Sequence, residues 1–134
     1  MSISVSAMET DASAQLGQGV GNARLASSFV RAVNRALSEM SLAADLATRL
    51  THITDTDEVI DLDADYEHIL YAGVLFHLVR MGHLPGDPRV AKVIVEDTLK
   101  AWDGAKGEYV AAEDNDNQAT ATNDVWGLGY LGDD

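Results

Sequence analysis

The spacing of apolar residues predicts a mainly α protein built on three principal helices. The first helix, over residues 23–40, carries one apolar stripe at the helical period, formed by Leu25, Phe29, Val33, Leu37 and Met40. The second, over 63–82, has a broader apolar face, which indicates a largely buried helix, and acidic residues near its start suit a helix N-terminus. Asp87 followed by proline is a typical helix start, so the third helix is predicted over 88–110.

Between the first two helices the pattern changes to two short runs rich in β-branched residues. Residues 50–53 and 59–62 flank a Thr-Asp-Thr-Asp segment, whose side chains favour turns. We therefore predict a small β-hairpin near residues 50–62. Because an isolated hairpin is barely stable in water, this one is expected to pack on helices or on another subunit. Its candidate interface residues are Ile53, Asp55, Asp57, Val59 and Ile60.

The two ends of the chain lack a sustained apolar period. Residues 1–22 are small, polar and glycine-rich, which predicts a flexible tail. Residues 111–134 begin as an acidic linker and end in an apolar cluster that we interpret as a docking arm, formed by Trp126, Leu128, Tyr130 and Leu131. The predicted fold is thus a small three-to-four-helix domain over 23–110, with a short β-hairpin and extended N- and C-terminal arms.

Composition changes this picture mainly through charge. The 134 residues include 22 Asp and Glu but only nine Lys and Arg, which gives a net charge of −13. The excess lies in residues 55–67 and 111–134, which hold seven and six acids and no Lys or Arg. We therefore expect no specific nucleic-acid binding, because phosphates require cations. A basic partner, DNA mimicry and simple solubility stay open as explanations of the charge.

No motif in the sequence points to enzymatic chemistry. The glycines at 17, 19 and 21 lack the strand and the Lys-Ser/Thr pair of a phosphate loop. The acids from Asp61 to Asp65 begin like a calcium loop, but Tyr66 replaces its turn glycine and Ala72 its glutamate. The chain has no cysteine, and its four histidines lack zinc-ligand spacing. We expect no catalytic site, no metal, no cofactor, no export signal and no membrane segment.

Four features follow one another over residues 29–109. They are the helix F-V-R-A-V-N-R-A-L-S-E-M, the segment I-T-D-T-D-E-V-I-D-L, the helix D-Y-E-H-I-L-Y-A-G-V-L-F-H-L, and a last helix with Ala91, Trp102 and Tyr109. In this order they resemble the head-to-tail adaptor, or connector, proteins of tailed bacteriophages. The resemblance implies a structural subunit that is made in the host cytoplasm and forms an oligomeric ring in the virion neck. Such a ring joins the portal protein to a tail-side protein while DNA passes through it.

Two other functions stay open on the sequence alone. An acidic inhibitor that mimics DNA would use the same negative charge, but it should spread carboxylates along folded helices rather than place them in a turn and a tail. A small helical regulatory module, such as an antitoxin, would fold its C-terminal tail on its partner. Such a module would form a tight binary complex with a basic protein and no ring.

Overall fold

The computed structural model describes residues 3–17, 23–46, 48–56, 58–60 and 62–126. Helices account for 73% of the chain, which confirms the predicted mainly α class. The elements in chain order are β1 (Ile3–Ser4), α1 (Val5–Gln15), α2 (Ala23–Ala43), β2 (Val59–Ile60), a 3-10 turn (Ala64–Tyr66), α3 (Glu67–Arg80) and α4 (Pro88–Trp126).

Helices α2, α3 and α4 form the body of the protein, with α3 packed against both of the others. Arg24 at the start of α2 lies beside Gly82, just after α3, while His68 at the start of α3 contacts Glu108 of α4. Helices α2 and α4 therefore run antiparallel to α3 and parallel to each other. The central position of α3 explains its broad apolar face, since its buried residues lie on several sides.

The first described segment is part of the core, so the prediction of a flexible tail over residues 1–22 is wrong for residues 3–17. One side of α1 is fully buried through Val5, Met8 and Ala12, and the buried Leu16 caps the helix. The hydroxyl of Tyr71 in α3 donates to Oε1 of Gln15 at 2.8 Å and ties α1 to the body. The buried stripe of α1 is easily overlooked in the sequence, because it has about one apolar residue per helical turn and is surrounded by Ser, Thr and Ala.

The short β element exists, but its strands are not those of the predicted hairpin. Strand β2 pairs antiparallel with β1, with Ile60 opposite Ile3 and Val59 opposite Ser4. Residues 48–56, the described part of the segment before β2, form no strand because a side chain of α2 already binds the backbone there. Asn34 donates to the carbonyl of Ile53 and accepts from its N–H, both at 2.8 Å, which occupies both hydrogen-bonding groups of that residue.

Helix α4 continues sixteen residues beyond its predicted end at Val110, so the acidic linker begins as helix. No glycine or proline, the residues that most disfavour a helix interior, occurs between Gly107 and Gly127. Side-chain positions are described only as far as Asp114. Leu128, Tyr130 and Leu131 of the predicted arm, and the side chain of Trp126, lie outside the described residues.

Candidate functional site

The residues predicted as a hairpin interface separate into core and surface. Ile53 and Ile60 are buried in the hydrophobic core, so they are structural residues and not an interface. Val59 is 56% exposed, and Asp55 is exposed on the turn that precedes it. Asp57 lies outside the described residues. Only Val59 and Asp55 thus keep the predicted position on the surface.

The turn before β2 is closed by a carboxylate rather than by strand pairing. The backbone N–H groups of Thr54 and Asp55 donate to Oε1 of Glu58, the second at 3.1 Å. These bonds, above all the one from Thr54, lower the pKa of Glu58. The turn therefore holds an ionised carboxylate in a fixed position at the surface.

A groove of about 270 Å³ lies on the polar side of α2 and was not predicted. We call it the α2 groove and define it by its lining residues, which are Arg31, Asn34, Arg35, Ser38, Glu39 and His52. The five helical residues recur every three or four positions, so they share one side of α2. This spacing is visible in the sequence and could have identified the wall of the groove that α2 forms. The position of His52 could not be identified in this way, because it depends on how the segment after α2 folds back onto the helix.

The segment that carries His52 is fixed to α2 at several points. Asn34 holds the adjacent Ile53 through two backbone hydrogen bonds, and the N–H of Leu50 donates to the hydroxyl of Ser41 at 2.9 Å. His52 Nε2 then lies 2.8 Å from the hydroxyl of Ser38. The groove therefore has one wall from a helix and one from a segment anchored on that helix.

The Ser38–His52 pair does not form a complete nucleophile–base arrangement within the described residues. A serine nucleophile needs its histidine to be oriented by a third group, most often a carboxylate. In the part of the chain that the structure describes, His52 has no second hydrogen-bond partner. The pair therefore supplies a hydroxyl and an imidazole for binding at the edge of the groove.

The cationic side chains of the groove lack carboxylate partners among the described residues. No Asp or Glu oxygen described lies within 4.0 Å of the guanidinium of Arg31 or Arg35. Glu39, the acid in the groove, is engaged elsewhere, because its Oε1 accepts from the indole N–H of Trp102 at 2.7 Å. Among the described residues, the groove thus presents two guanidinium groups without a carboxylate partner, on a strongly acidic protein.

A buried polar cluster adjoins the groove where the three main helices meet. Nε2 of His77 lies 3.2 Å from Oε2 of Glu39, without the alignment of a regular hydrogen bond. Burial lowers the pKa of His77, and the opposing influence of Glu39 is smaller. The ammonium group of Lys106 lies 5.3 Å from the centre of the Trp102 ring. This cluster couples α2 to α4 and fixes the position of Glu39.

The first turns of α4 expose an unusual amount of aliphatic surface. Ile94 and Thr98 face the body, while four aliphatic residues around them are between 43% and 53% exposed, namely Val90, Val93, Val95 and Leu99. Single exposed aliphatic side chains are common, but four within three helical turns mark a surface suited to contact with another protein.

Other site classes receive no support from the described part of the chain. Within residues 3–114, apart from the gaps given above, no three acidic or histidine side chains converge on a point that could hold a metal ion. Over the same residues, no helix has both the length and the apolar character required to cross a bilayer. Comparisons with protein-family models, with curated proteins and with solved structures found no match to this chain.

Proposed function

We propose that this protein is a structural subunit that assembles head to tail into a ring, as the connector between a phage portal and tail would. The single observation that carries the proposal is the form of α4. Its 39 residues correspond to a length of about 58 Å, roughly twice the width of a small domain. Among the side chains of α4 that the structure describes, which end at Asp114, Tyr109 is the last that is fully buried against the body. Residues 110–126, which we call the α4 extension, add about 25 Å of helix beyond it.

Helix α4 therefore offers two different surfaces, one at each end. Its first turns expose aliphatic residues, and the α4 extension continues the helix past Tyr109. A contact between two different surfaces of identical subunits is heterologous, and such contacts generate rings when the rotation closes. A symmetric dimer would instead need one self-complementary surface.

Two further features support the connector proposal. The order of helices and motifs over residues 29–109 resembles the phage head-to-tail adaptors. The net charge of −13 would let DNA pass through such a ring without adhering to its wall, because like charges repel. In this proposal the partners are further copies of the chain, the portal protein and a tail-side protein.

One observation favours the second candidate, an acidic inhibitor that mimics DNA. The sequence places the six acids after residue 110 in a tail, whereas four of them, up to Asp124, lie on the helix α4. Carboxylates spread along a long helix are the arrangement that a DNA mimic requires. A mimic would remain a single copy that competes with DNA for a basic protein, and this behaviour distinguishes it from a connector.

Assembly of truncated and substituted chains tests the proposal. Deletion of residues 124–134 should leave the melting temperature unchanged and abolish the ring and its binding to the portal protein, as measured by light scattering and electron microscopy. The double variant Val93→Asp/Leu99→Asp should also remain a folded monomer. The control is Leu42→Asp, which places the same charge on an exposed leucine of α2 and should still assemble. If the truncated chain melts much earlier as a monomer, its C-terminal segment belongs to its own core and the proposal is wrong.

A further inference from the structure

A buried histidine stands where the three main helices meet. His77 of α3 is only 6% exposed, and its Nε2 atom is closed to solvent and has no hydrogen-bond partner among the described residues. Two side chains from the neighbouring helices face it. Oε2 of Glu39 in α2 lies 3.2 Å from Nε2, and the centre of the Trp102 ring in α4 lies 6.4 Å from the centre of the imidazole. A buried polar atom without a hydrogen bond is rare in a folded protein, so this position calls for a physical explanation.

The carboxylate of Glu39 lies between two buried nitrogen atoms, and it is well aligned with only one of them. Its Oε1 accepts from the indole N–H of Trp102 at 2.7 Å. In the part of the chain that the structure describes, this is the one hydrogen bond between α2 and α4. Its Oε2 faces His77 without the alignment of a regular hydrogen bond. The bond to the indole therefore holds the carboxylate in an orientation that does not suit the imidazole.

The charges around His77 favour its neutral form at neutral pH. Burial lowers the pKa of His77, and Glu39 opposes this effect with its negative charge. Arg35 from α2 and Lys106 from α4 lower the pKa further, and Oδ1 of Asp103 lies 3.9 Å from the ammonium group of Lys106. These are the charged groups on the two helices that pack against α3 at this point. Mild acid therefore adds a third cation to a junction that already holds two cations and the carboxylate of Glu39.

We propose that Glu39, His77 and Trp102 form an acid-sensitive switch, in which protonation of His77 moves the carboxylate of Glu39 from the indole to the imidazolium. The attraction between two opposite charges in a buried site adds to their hydrogen bond, so the carboxylate binds an imidazolium more strongly than a neutral indole. Water reaches the site through Glu39, whose side chain lines the α2 groove and is 38% exposed.

The switch controls how firmly α2 holds α4. In the neutral state Glu39 binds the indole of Trp102 and joins α2 to α4. In the protonated state it binds His77 and joins α2 to α3, and the buried indole N–H loses its acceptor. The inference goes beyond the proposed function and does not rest on it, because it concerns a single folded chain.

Ultraviolet resonance Raman spectra of the full-length chain between pH 8 and pH 5 test the inference, because indole bands respond to hydrogen bonding at the N–H group. The variant Trp126→Phe leaves Trp102 as the one tryptophan, so every indole band belongs to it. The band of the hydrogen-bonded indole should be lost as the pH falls, with half of the change at a pH below about 6.5, the ordinary pKa of histidine. Far-UV circular dichroism should stay constant over the same range.

Three substitutions in the Trp126→Phe chain separate the switch from other effects of acid. His77→Gln stays neutral at every pH and should abolish the transition. Glu39→Gln keeps an oxygen acceptor for the indole but has no charge that an imidazolium could attract, so its indole should stay hydrogen-bonded down to pH 5. His68→Gln is the matched control, because it removes a histidine of the same helix that is exposed and pairs with Glu108. It should show the same transition as the parent chain.

Three results would overturn the inference. The first is an indole that keeps its hydrogen bond down to pH 5 in the parent chain, since Glu39 then does not exchange its partner. The second is the same transition in His77→Gln, which would place its cause in another group. The third is a loss of helix that coincides with the change at the indole, which would indicate unfolding. None of these results concerns ring formation, so failure of the switch is distinguishable from failure of the proposed function.

Discussion

Replacement of Gly73 by alanine should destabilise the protein, although alanine is the better helix former. Gly73 lies in the middle of α3, against Ala36 of α2 and Trp102 of α4. A Cβ atom at this position would lie 2.7 Å from Cη2 and Cζ3 of Trp102 and 2.9 Å from Cβ of Ala36. Both neighbours are fully buried, so neither can move into solvent to relieve the overlap.

The magnitude follows from two opposing contributions. Alanine in place of glycine stabilises a helix interior by about 1 kcal/mol. An extra methyl group forced into a well-packed core costs about 1–3 kcal/mol, because side chains and backbone must shift. At Gly73 the added methyl group would overlap a rigid indole ring and the Cβ of Ala36, which is fixed to the backbone. The energetic cost should therefore lie in the upper part of that range. We expect a net loss of about 1–2 kcal/mol.

The assay is thermal or urea unfolding, with other glycines of the same chain as controls. Gly104 and Gly107 are exposed in α4, and a Cβ at either position meets nothing within 4 Å. Gly104→Ala and Gly107→Ala should therefore each stabilise the protein by about 0.5–1 kcal/mol, since only the helix preference applies. Gly73→Ala should shift the melting temperature in the opposite direction.

A double-mutant cycle tests whether the indole is the cause. In Trp102→Phe the atoms nearest to Gly73 are absent, so the added methyl group at 73 should cost much less in that background. If Gly73→Ala stabilises the wild type as much as Gly104→Ala does, the close packing of α3 against α4 is not as described. If Gly73→Ala destabilises the Trp102→Phe variant as much as the wild type, the indole ring is not the cause of the destabilisation.

Three other predictions concern the elements that the sequence alone did not resolve. Asn34→Ala should lose about 2–3 kcal/mol in urea unfolding, because both hydrogen bonds to Ile53 disappear, whereas Asn34→Asp keeps the acceptor and should lose less. Deletion of residues 1–17 should lower the melting temperature strongly, since it removes α1 and the partner of β2; an unchanged value would contradict the buried position of α1. Because burial lowers the pKa of His77, the unfolded chain binds its proton at higher pH than the folded chain, so stability should fall as the pH drops below about 6.5. His77→Gln should reduce that slope between pH 7.5 and 5, and an identical slope would contradict the assignment.

The three main helices could be predicted because each is specified by local signals. The apolar stripe of α2 and the broad apolar face of α3 follow the helical period, and these helices lie where the pattern placed them. The start of α4 depends on one side chain, since Oδ1 of Asp87 accepts from the N–H of Arg89 at 2.9 Å. The end of α4 was missed because its last turns lack an apolar stripe, and only the absence of glycine and proline indicated a continuing helix.

The elements that could not be predicted depend on contacts between distant parts of the chain. A strand of two residues such as β2 has no periodicity that identifies its partner, and β1 lies more than fifty residues earlier. The two backbone bonds between Asn34 and Ile53 span nineteen residues, so the α2 groove could not be assembled from local pattern. Arg31 and Arg35 lie off the apolar stripe of α2, and only the folded chain shows that neither has a carboxylate partner among the described residues.

Electron microscopy of the purified full-length chain, alone and mixed with a portal protein, tests the central claim most directly. Head-to-tail assembly predicts closed rings of identical subunits, with the α4 extension of each copy in contact with its neighbour. Single copies under both conditions, or symmetric pairs that do not extend into rings, would contradict the account.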